Sequence, residues 1–453
     1  MDQRNPSVSE CPFPHDPAPV HGALLAQDPR AVYGPLRQRW GAIAPIELAP
    51  GVEAWLVMGY QEALELVWNE RAFSSDARRW RALTEGLLPE DSPLLPILGW
   101  RPALSRLDDQ AHRQQRQVVT ETLDRVDVRR LRALVRQQAE ATVDQWAMHG
   151  AADLVNQYGQ PLVWSVLGQL LGLADSQTPM LIALVSSIVG SAAEAAQAEA
   201  ELMQLLRHLV AVKRETPGPD FASWLSHSAR LTDAEVAHNL AAILFSGGQS
   251  TINWLSGTMW LLLTDTGLSS ALATGRLTVS DAVDRALWAC SPLPNIAGRW
   301  ARNAVVFAGC RIAAGDLLIP CLAAANTDPA IHGAGNLGTN RAHLAFGTGA
   351  HGCPAKEAAR LIVETAVDVL LRRLNEVRPG VADTDLRWRP SLWGAAPASL
   401  PTLFQSSRPQ RSTTDEASHH AVMAVPEKRQ DDRATDTDPA PQRWGWWNSN
   451  AGW

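Results

Sequence analysis

One run of sequence sets the scale of the fold. Residues 232–266 carry apolar side chains at i, i+3, i+4 spacing, which predicts a single helix about 50 Å long at 1.5 Å per residue, enough to cross a whole domain. At its centre stands FSGGQST, Phe245 to Thr251. Each of the paired glycines costs a helix about 1 kcal/mol against alanine, so something there offsets the cost, such as a distortion that opens the helix onto a ligand. The chain has 453 residues, room for several ordinary domains or one large one. Residues 1–20 read as an extended, Pro-rich lead-in, and residues 405–453 as a disordered tail too poor in apolar spacing to offset its ordering entropy. Residues 21–404 contain no repeat and no Gly/Ser linker, and read as one body.

Further helices are predicted near 60–72, 110–123, 126–147, 153–173, 177–213, 280–290 and 355–374. The β-rich stretches are short: Ile43–Leu48, Ala54–Met58, Val305–Phe307, Ile312 and Leu317–Pro320. The fold class is therefore mainly α with small β-sheets. A net charge of −7 gives no global positive field to hold nucleic acid or an anionic membrane. No uncharged apolar run approaches the length of a bilayer span, and the N-terminus lacks the apolar core of a signal peptide. Five scattered cysteines form neither a disulfide scaffold nor a zinc spacing. A cytoplasmic protein is expected, with no nucleic acid and no membrane as partner.

The chemistry concentrates in HLAFGTGAHGCPAKEAARLIVETAVDVLLRRL. Cys353 lies in a loop with Gly347, Gly349 and Gly352, followed by Pro354 and an amphipathic helix. This places the sulfur at a helix N-terminus, where partial positive charge favours a thiolate. The glycines let backbone approach a flat ligand closely and donate N–H groups to the sulfur. A small buried hydrophobe in a turn is the plainer reading of such a cysteine.

The stretch resembles the haem-binding loop of the cytochrome P450 family, F-x-x-G-x-[HR]-x-C-x-G. Phe346, Gly349, His351 and Cys353 fit, and Ala355 replaces the last glycine. The resemblance extends over roughly residues 20–405. DDQAHRQQR is similar to the family segment in which His112 and Arg116 would bind haem propionates, Arg299 in AGRWARNAVVF would do the same, and Ala325 to Pro329 match the A-N-x-D-P turn. The resemblance implies the cytochrome P450 fold as one large domain with a buried haem b (iron protoporphyrin IX). Cys353 would be the axial ligand to the iron, and His112, Arg116, Arg299 and His351 would be the propionate partners. A thiolate ligand pushes electron density onto iron and favours O–O cleavage.

The sequence departs from the family at two places. The acid–alcohol pair of A-G-x-[DE]-T aligns with Ser246, Gly247, Gly248, Gln249 and Ser250. Gln249 can orient water but cannot deliver a proton as a carboxylic acid does, so Ser250, the adjacent Thr251 and water remain. The Glu-x-x-Arg pair is replaced by Arg285-Ala286-Leu287-Trp288, which leaves Arg285 in need of a partner.

Resemblance implies a soluble, monomeric actinobacterial oxidoreductase of secondary metabolism, fed by ferredoxin and ferredoxin reductase. A basic surface after the cysteine is expected at Lys356, Arg360, Arg372 and Arg373. A weaker resemblance points to members that couple tryptophan-containing cyclodipeptides (diketopiperazines) through radicals. Trp80, Trp100, Ser246, Gly247, Gln249, Asn295 and Trp393 occupy the regions that line the substrate in the family. Aromatic faces would stack an indole, and Gln249 would accept from its N–H. Hydroxylation of another small hydrophobic substrate, or a catalytically silent haem partner, are the alternatives. Of 18 tryptophans, Trp444, Trp446, Trp447 and Trp453 end the tail and have no counterpart in the resemblance.

Overall fold

The computed structural model describes residues 17–20, 29–89, 92–190, 192–331 and 340–407. The tail from 408 onward with its four tryptophans, Cys11, and the lead-in before residue 17 lie outside the described residues.

A six-stranded sheet forms one side of the body. Its strands are β1 (Ala18–Pro19), β2 (Ile43–Ala49), β3 (Val52–Val57), β4 (Phe73–Ser74), β5 (Arg299–Ala301) and β6 (Leu317–Pro320), in the order β1-β2-β3-β6-β5-β4. Pairs β1/β2 and β3/β6 are parallel and the others antiparallel. Short β-branched and aromatic runs such as IAPIELA and VEAWLV suit such a pleated surface. The lead-in is thus an edge strand at its end, with Ala18 opposite Ile46. The body also reaches one residue further than expected, since Pro401–Gln405 pairs with Asn375–Pro379 and Ala151–Asp153 in a second sheet.

The α-helices of nine or more residues among the described residues are α1 (Tyr60–Trp68), α2 (Asp109–Leu123), α3 (Val128–Asp144), α4 (Gln160–Leu171), α5 (Thr178–Gly190), α6 (Ala192–Glu215), α7 (Asp233–Ala242), α8 (Ser250–Thr264), α9 (Val279–Ala289) and α10 (Lys356–Arg373). The segment expected as one helix over 177–213 is two helices packed on each other, α5 and α6. Apolar spacing repeats alike on both sides of a reversal, so periodicity does not reveal it. The largest core cluster gathers Leu131 and Val135 of α3, Leu162 and Trp164 of α4, Trp254 and Leu255 of α8, Val283 of α9 and Val363 of α10.

The long central helix starts at a capping box, in which Thr232 and Glu235 satisfy each other's backbone N–H groups. It runs through α7, widens to a π-helix over Ile243–Gln249 and continues as α8. The expected distortion therefore falls on the glycine pair. Gly248 also admits a neighbour, because a Cβ built there would overlap the Trp164 ring and press on Leu167. Gly248→Ala, which in an ordinary helix gains about 1 kcal/mol, is expected here to lose about 1–3 kcal/mol through overpacking. Urea denaturation checks the sign; a more stable variant would refute the packing argument.

Candidate active site

The cysteine loop is closed by its own backbone. The Gly347 N–H donates to Leu344 O (2.7 Å), the Gly352 N–H to Gly349 O (3.0 Å) and the Cys353 N–H to Phe346 O (2.8 Å). Gly347 and Gly349 hold φ of 62° and 68°, the left-handed region that side chains rarely adopt. The N–H groups of Gly347 and Gly352, expected on the sulfur, thus bond to carbonyls instead, and the Ala355 N–H reaches Cys353. Helix α10 begins at Lys356 with Ala355 as its N-cap, so Pro354 and the cysteine precede it. Burial pushes the Cys353 thiol up, and the Ala355 N–H, Arg116 and Lys356 only partly pull it back. Burial thus opposes the pull of the helix terminus on the sulfur; a bound metal cation would favour the thiolate outright, since coordination deprotonates a thiol.

Beside the loop lies a cluster of buried bases. The His112 and His351 rings stack with centroids 4.0 Å apart, and Ser75 Oγ lies 3.1 Å from His351 Nε2. Arg116 donates to Gly352 O (2.5 Å), and Arg299 to Gly298 O (3.0 Å). Arg106, which no motif marked, donates to Ala297 O (2.5 Å) and Ile97 O. No carboxylate forms an ion pair with Arg106, Arg116 or Arg299 among the described residues, and His112 Nε2 is buried without a hydrogen-bond partner. Burial first, then neighbouring cations, lower His112 to about 4 and His351 to about 2. Burial also lowers Arg106 to about 9, with Arg299 and Arg101 adding to it, and Arg299 to about 10. Isolated buried charges are costly unless paired. A ligand carrying carboxylates satisfies this cluster by supplying the missing anions and acceptors.

One turn beyond the widened segment, Trp254 of α8 meets Phe346 of the loop edge-on with centroids 5.4 Å apart. Ser246 is exposed between buried Leu244 and Gly248, Gly247 is partly buried, and Thr251 is buried. Ser250 Oγ donates back to Ser246 O, and lies 3.4 Å from Gly247 O. Gln249 Nε2 donates to Asn253 Oδ1 (2.9 Å), and Asn253 Nδ2 donates to Pro292 O (3.0 Å). A backbone carbonyl can only accept, so it orients Asn253, which in turn orients Gln249 and leaves Gln249 Oε1 as an acceptor. Asn253 escaped the sequence reading because an isolated amide four residues along a helix carries no motif.

The other pocket candidates divide. Trp80 is 1% exposed and packs on Trp300 at 6.4 Å, which makes it a core residue with no open space beside it, not a pocket wall. Asn295 is buried too, and joins Tyr33 OH (3.0 Å) to Leu392 O (2.6 Å). Trp393 is partly buried against the sheet-side core. Trp100 is exposed, with the Arg78 guanidinium 4.5 Å from its ring centroid. The basic surface also shrinks. Arg373 is buried in ion pairs with Glu140 and Asp144, and Arg360 pairs with Asp284 and Glu364. Only Lys356 and Arg372 of that set are exposed, the latter bonded to Asp368. Arg285 finds its partner in Asp265, 3.4 Å away.

Among the described residues no group of three or more His, Cys, Asp or Glu could hold a metal ion. An iron at Cys353 must therefore bring its other ligands with it, as a macrocycle does. A lone cysteine in a glycine loop, a buried basic cluster and a widened helix opposite define a haem-thiolate protein. The comparisons agree. No protein-family model matches the chain. Cytochrome P450 107B1 of Saccharopolyspora erythraea is 28% identical over 377 residues, covering 81% of this chain and 92% of the relative. The cytochrome P450 monooxygenase PikC of Streptomyces venezuelae is 28% identical over 400 residues, covering 85% and 94%. The solved structure of CYP154A1 from Streptomyces coelicolor superposes with a TM-score of 0.76 at 27% identity, covering 84% of this chain and 98% of that one. The chain is a cytochrome P450 of the bacterial type, an oxidoreductase whose cofactor is haem b. No helix among the described residues is long and apolar enough to cross a membrane.

Proposed function

We propose that this enzyme of secondary metabolism couples an indole-bearing cyclodipeptide to a second substrate molecule, in the cytoplasm and with electrons from a ferredoxin and its reductase. The haem domain is taken as residues 21–404 with the short strand extensions at each end. Cys353 ligates the iron. His112, Arg116, Arg299 and His351 hold the haem carboxylates, with Arg106 behind them, and Phe346, Gly347 and Gly349 shape the loop. Haem, when bound, supplies the oxidising chemistry.

The observation that carries the coupling reading is the amide chain from Pro292 O through Asn253 to Gln249. Where an acid would deliver protons, this chain presents Gln249 Oε1 as a fixed acceptor, suited to an indole or lactam N–H. Ser246, exposed, and Ser250, whose Oγ donates to Ser246 O, adjoin it along the helix, and Trp100 and Trp393 are the aromatic faces proposed to stack the indole. Plain hydroxylation is the second reading, favoured by the Ser250 hydroxyl retained on the widened turn.

Incubation with a tryptophan-containing cyclodipeptide, reductant and isotopically labelled dioxygen separates the two. A product mass equal to two substrates less two hydrogens, without label, is expected. Incorporated label would establish hydroxylation, and no oxygen consumption above background with any substrate would leave a silent haem protein. Gln249→Leu is expected to weaken binding of the N–H substrate about tenfold, the scale of one lost hydrogen bond of about 1.4 kcal/mol. Binding of its N-methylated analogue should stay unchanged in a spectral titration.

A further inference from the structure

Asp284 is a buried carboxylate on α9. Its Oδ2 accepts from Arg341 Nε (3.0 Å), and its Oδ1 from Arg360 Nη2. Arg341 stands twelve residues before Cys353, and Arg360 seven after it. One carboxylate thus grips both flanks of the cysteine loop. The rest of α9 repeats the pattern. Val283 O accepts from Trp254 Nε1 (2.9 Å), and Trp254 packs on Phe346. Leu287 O accepts from Asn326 Nδ2 (3.3 Å), whose Oδ1 takes the Leu344 N–H (2.7 Å). Trp288 Nε1 donates to Asn340 O (2.7 Å), and its ring meets His343 at 5.9 Å.

We propose that Asp284 is a positioning residue for the iron ligand: it ties Arg341 and Arg360 to α9 and so fixes where the Cys353 sulfur stands. The contacts run without a gap. The Arg360 guanidinium lies 5.8 Å from the Trp254 ring centroid, Trp254 abuts Phe346, and Phe346 O holds the Cys353 N–H at 2.8 Å. Arg360 has a side chain 12% exposed and a second, weaker acceptor in Glu364 at 3.4 Å. Burial pulls the Arg360 guanidinium down, and its bonds to Asp284 and Glu364 more than restore it. Without the Asp284 carboxylate, this buried cation would have to move toward water and take the start of α10 with it. Asp284 touches neither substrate nor iron; it acts through the loop.

The inference rests on Cys353 as the ligand, and the test separates the two failures. In the ferrous carbon monoxide complex, a thiolate ligand gives a long-wavelength Soret band, and a protonated or displaced sulfur gives a shorter-wavelength one. If the parent enzyme lacks the long-wavelength band, the ligand assignment fails. If it shows the band, Asp284→Asn is expected to convert to the shorter-wavelength form about 10–100-fold faster on mild warming, the scale of losing an outer partner of a metal ligand. Far-UV circular dichroism should stay unchanged over that interval. Arg341→Gln, whose side chain is 62% exposed and tolerates change, should shift the rate in the same direction. Asp284→Glu should restore it in part. Amide exchange of the Gly347, Gly352 and Cys353 N–H groups in the full chain gives a second readout and should accelerate in Asp284→Asn. Unchanged conversion and exchange in Asp284→Asn and Arg341→Gln, or conversion only in step with global unfolding, would overturn the positioning role. Should Asp284→Asn fail to fold, Arg341→Gln alone decides by the same criteria.

Discussion

Cys353→Ser is expected to abolish oxidation altogether while leaving the fold in place. The loop is closed by backbone bonds, from Cys353 N–H to Phe346 O and from Gly347 N–H to Leu344 O, and serine keeps every one of them. What changes is the ligand. An alcohol is far harder to deprotonate than a thiol, and oxygen is a poorer electron donor to iron than sulfur. Among the described residues no other side-chain cluster could take over the metal. The ferrous carbon monoxide complex should lose its long-wavelength Soret band completely, and substrate turnover should fall to background, with circular dichroism unaltered. A variant that keeps the band would remove Cys353 from the site.

Removing one of the buried bases is expected to act in opposite directions on the two forms of the protein. Arg299 and Arg106 are each less than 10% exposed, and among the described residues their hydrogen bonds go to backbone carbonyls. In the haem-free chain they repel one another, and among the described residues neither has a carboxylate at ion-pair distance, Asp108 and Glu70 acting on Arg299 only from further off. Arg299→Leu should therefore leave haem-free protein as stable or more so, since it relieves a buried charge whose desolvation outweighs the distant pull of Asp108 and Glu70. The same change should weaken haem retention about 10–100-fold, measured by transfer of haem to an acceptor protein. If haem retention is unchanged, Arg299 does not hold the cofactor.

The pH dependence follows from the same cluster. His112 at about 4 and His351 at about 2 lie below the ordinary value of 6.5. Between those values the unfolded chain binds protons that the folded haem-free chain does not, so stability rises with pH there and falls on acidification. Haem-free protein should lose stability as pH drops from about 6.5 toward 4. His112→Phe should flatten that slope in urea titrations.

Much of this was legible in the sequence. Helix spacing marked the central helix, and the glycine pair marked its distortion, because both are properties of local chain geometry. Cys353, His112, Arg116, Arg299 and His351 stood in segments that resemble the haem-binding segments of the family. Arg106, Asn253 and Asp284 did not. Each is a single common residue whose meaning comes from a partner far along the chain: Ala297 for Arg106, Pro292 for Asn253, and Arg341 and Arg360 for Asp284. Burial was equally hidden. Trp80, read as a pocket wall, is sealed against Trp300, and Arg373, read as a surface cation, is buried between Glu140 and Asp144.

By itself the sequence determined the fold class and the long helix with its weak point, and it singled out the cysteine proposed as the iron ligand. These rest on periodicity and residue type within short windows. The tertiary structure decided which cations face inward without anions, that Gln249 offers an acceptor and not a proton, and that α9 grips the cysteine loop through Asp284. Those outcomes depend on which side chains share a space once the chain has closed. Desolvation and pairing, which set charge and hydrogen-bond roles, act only at that point.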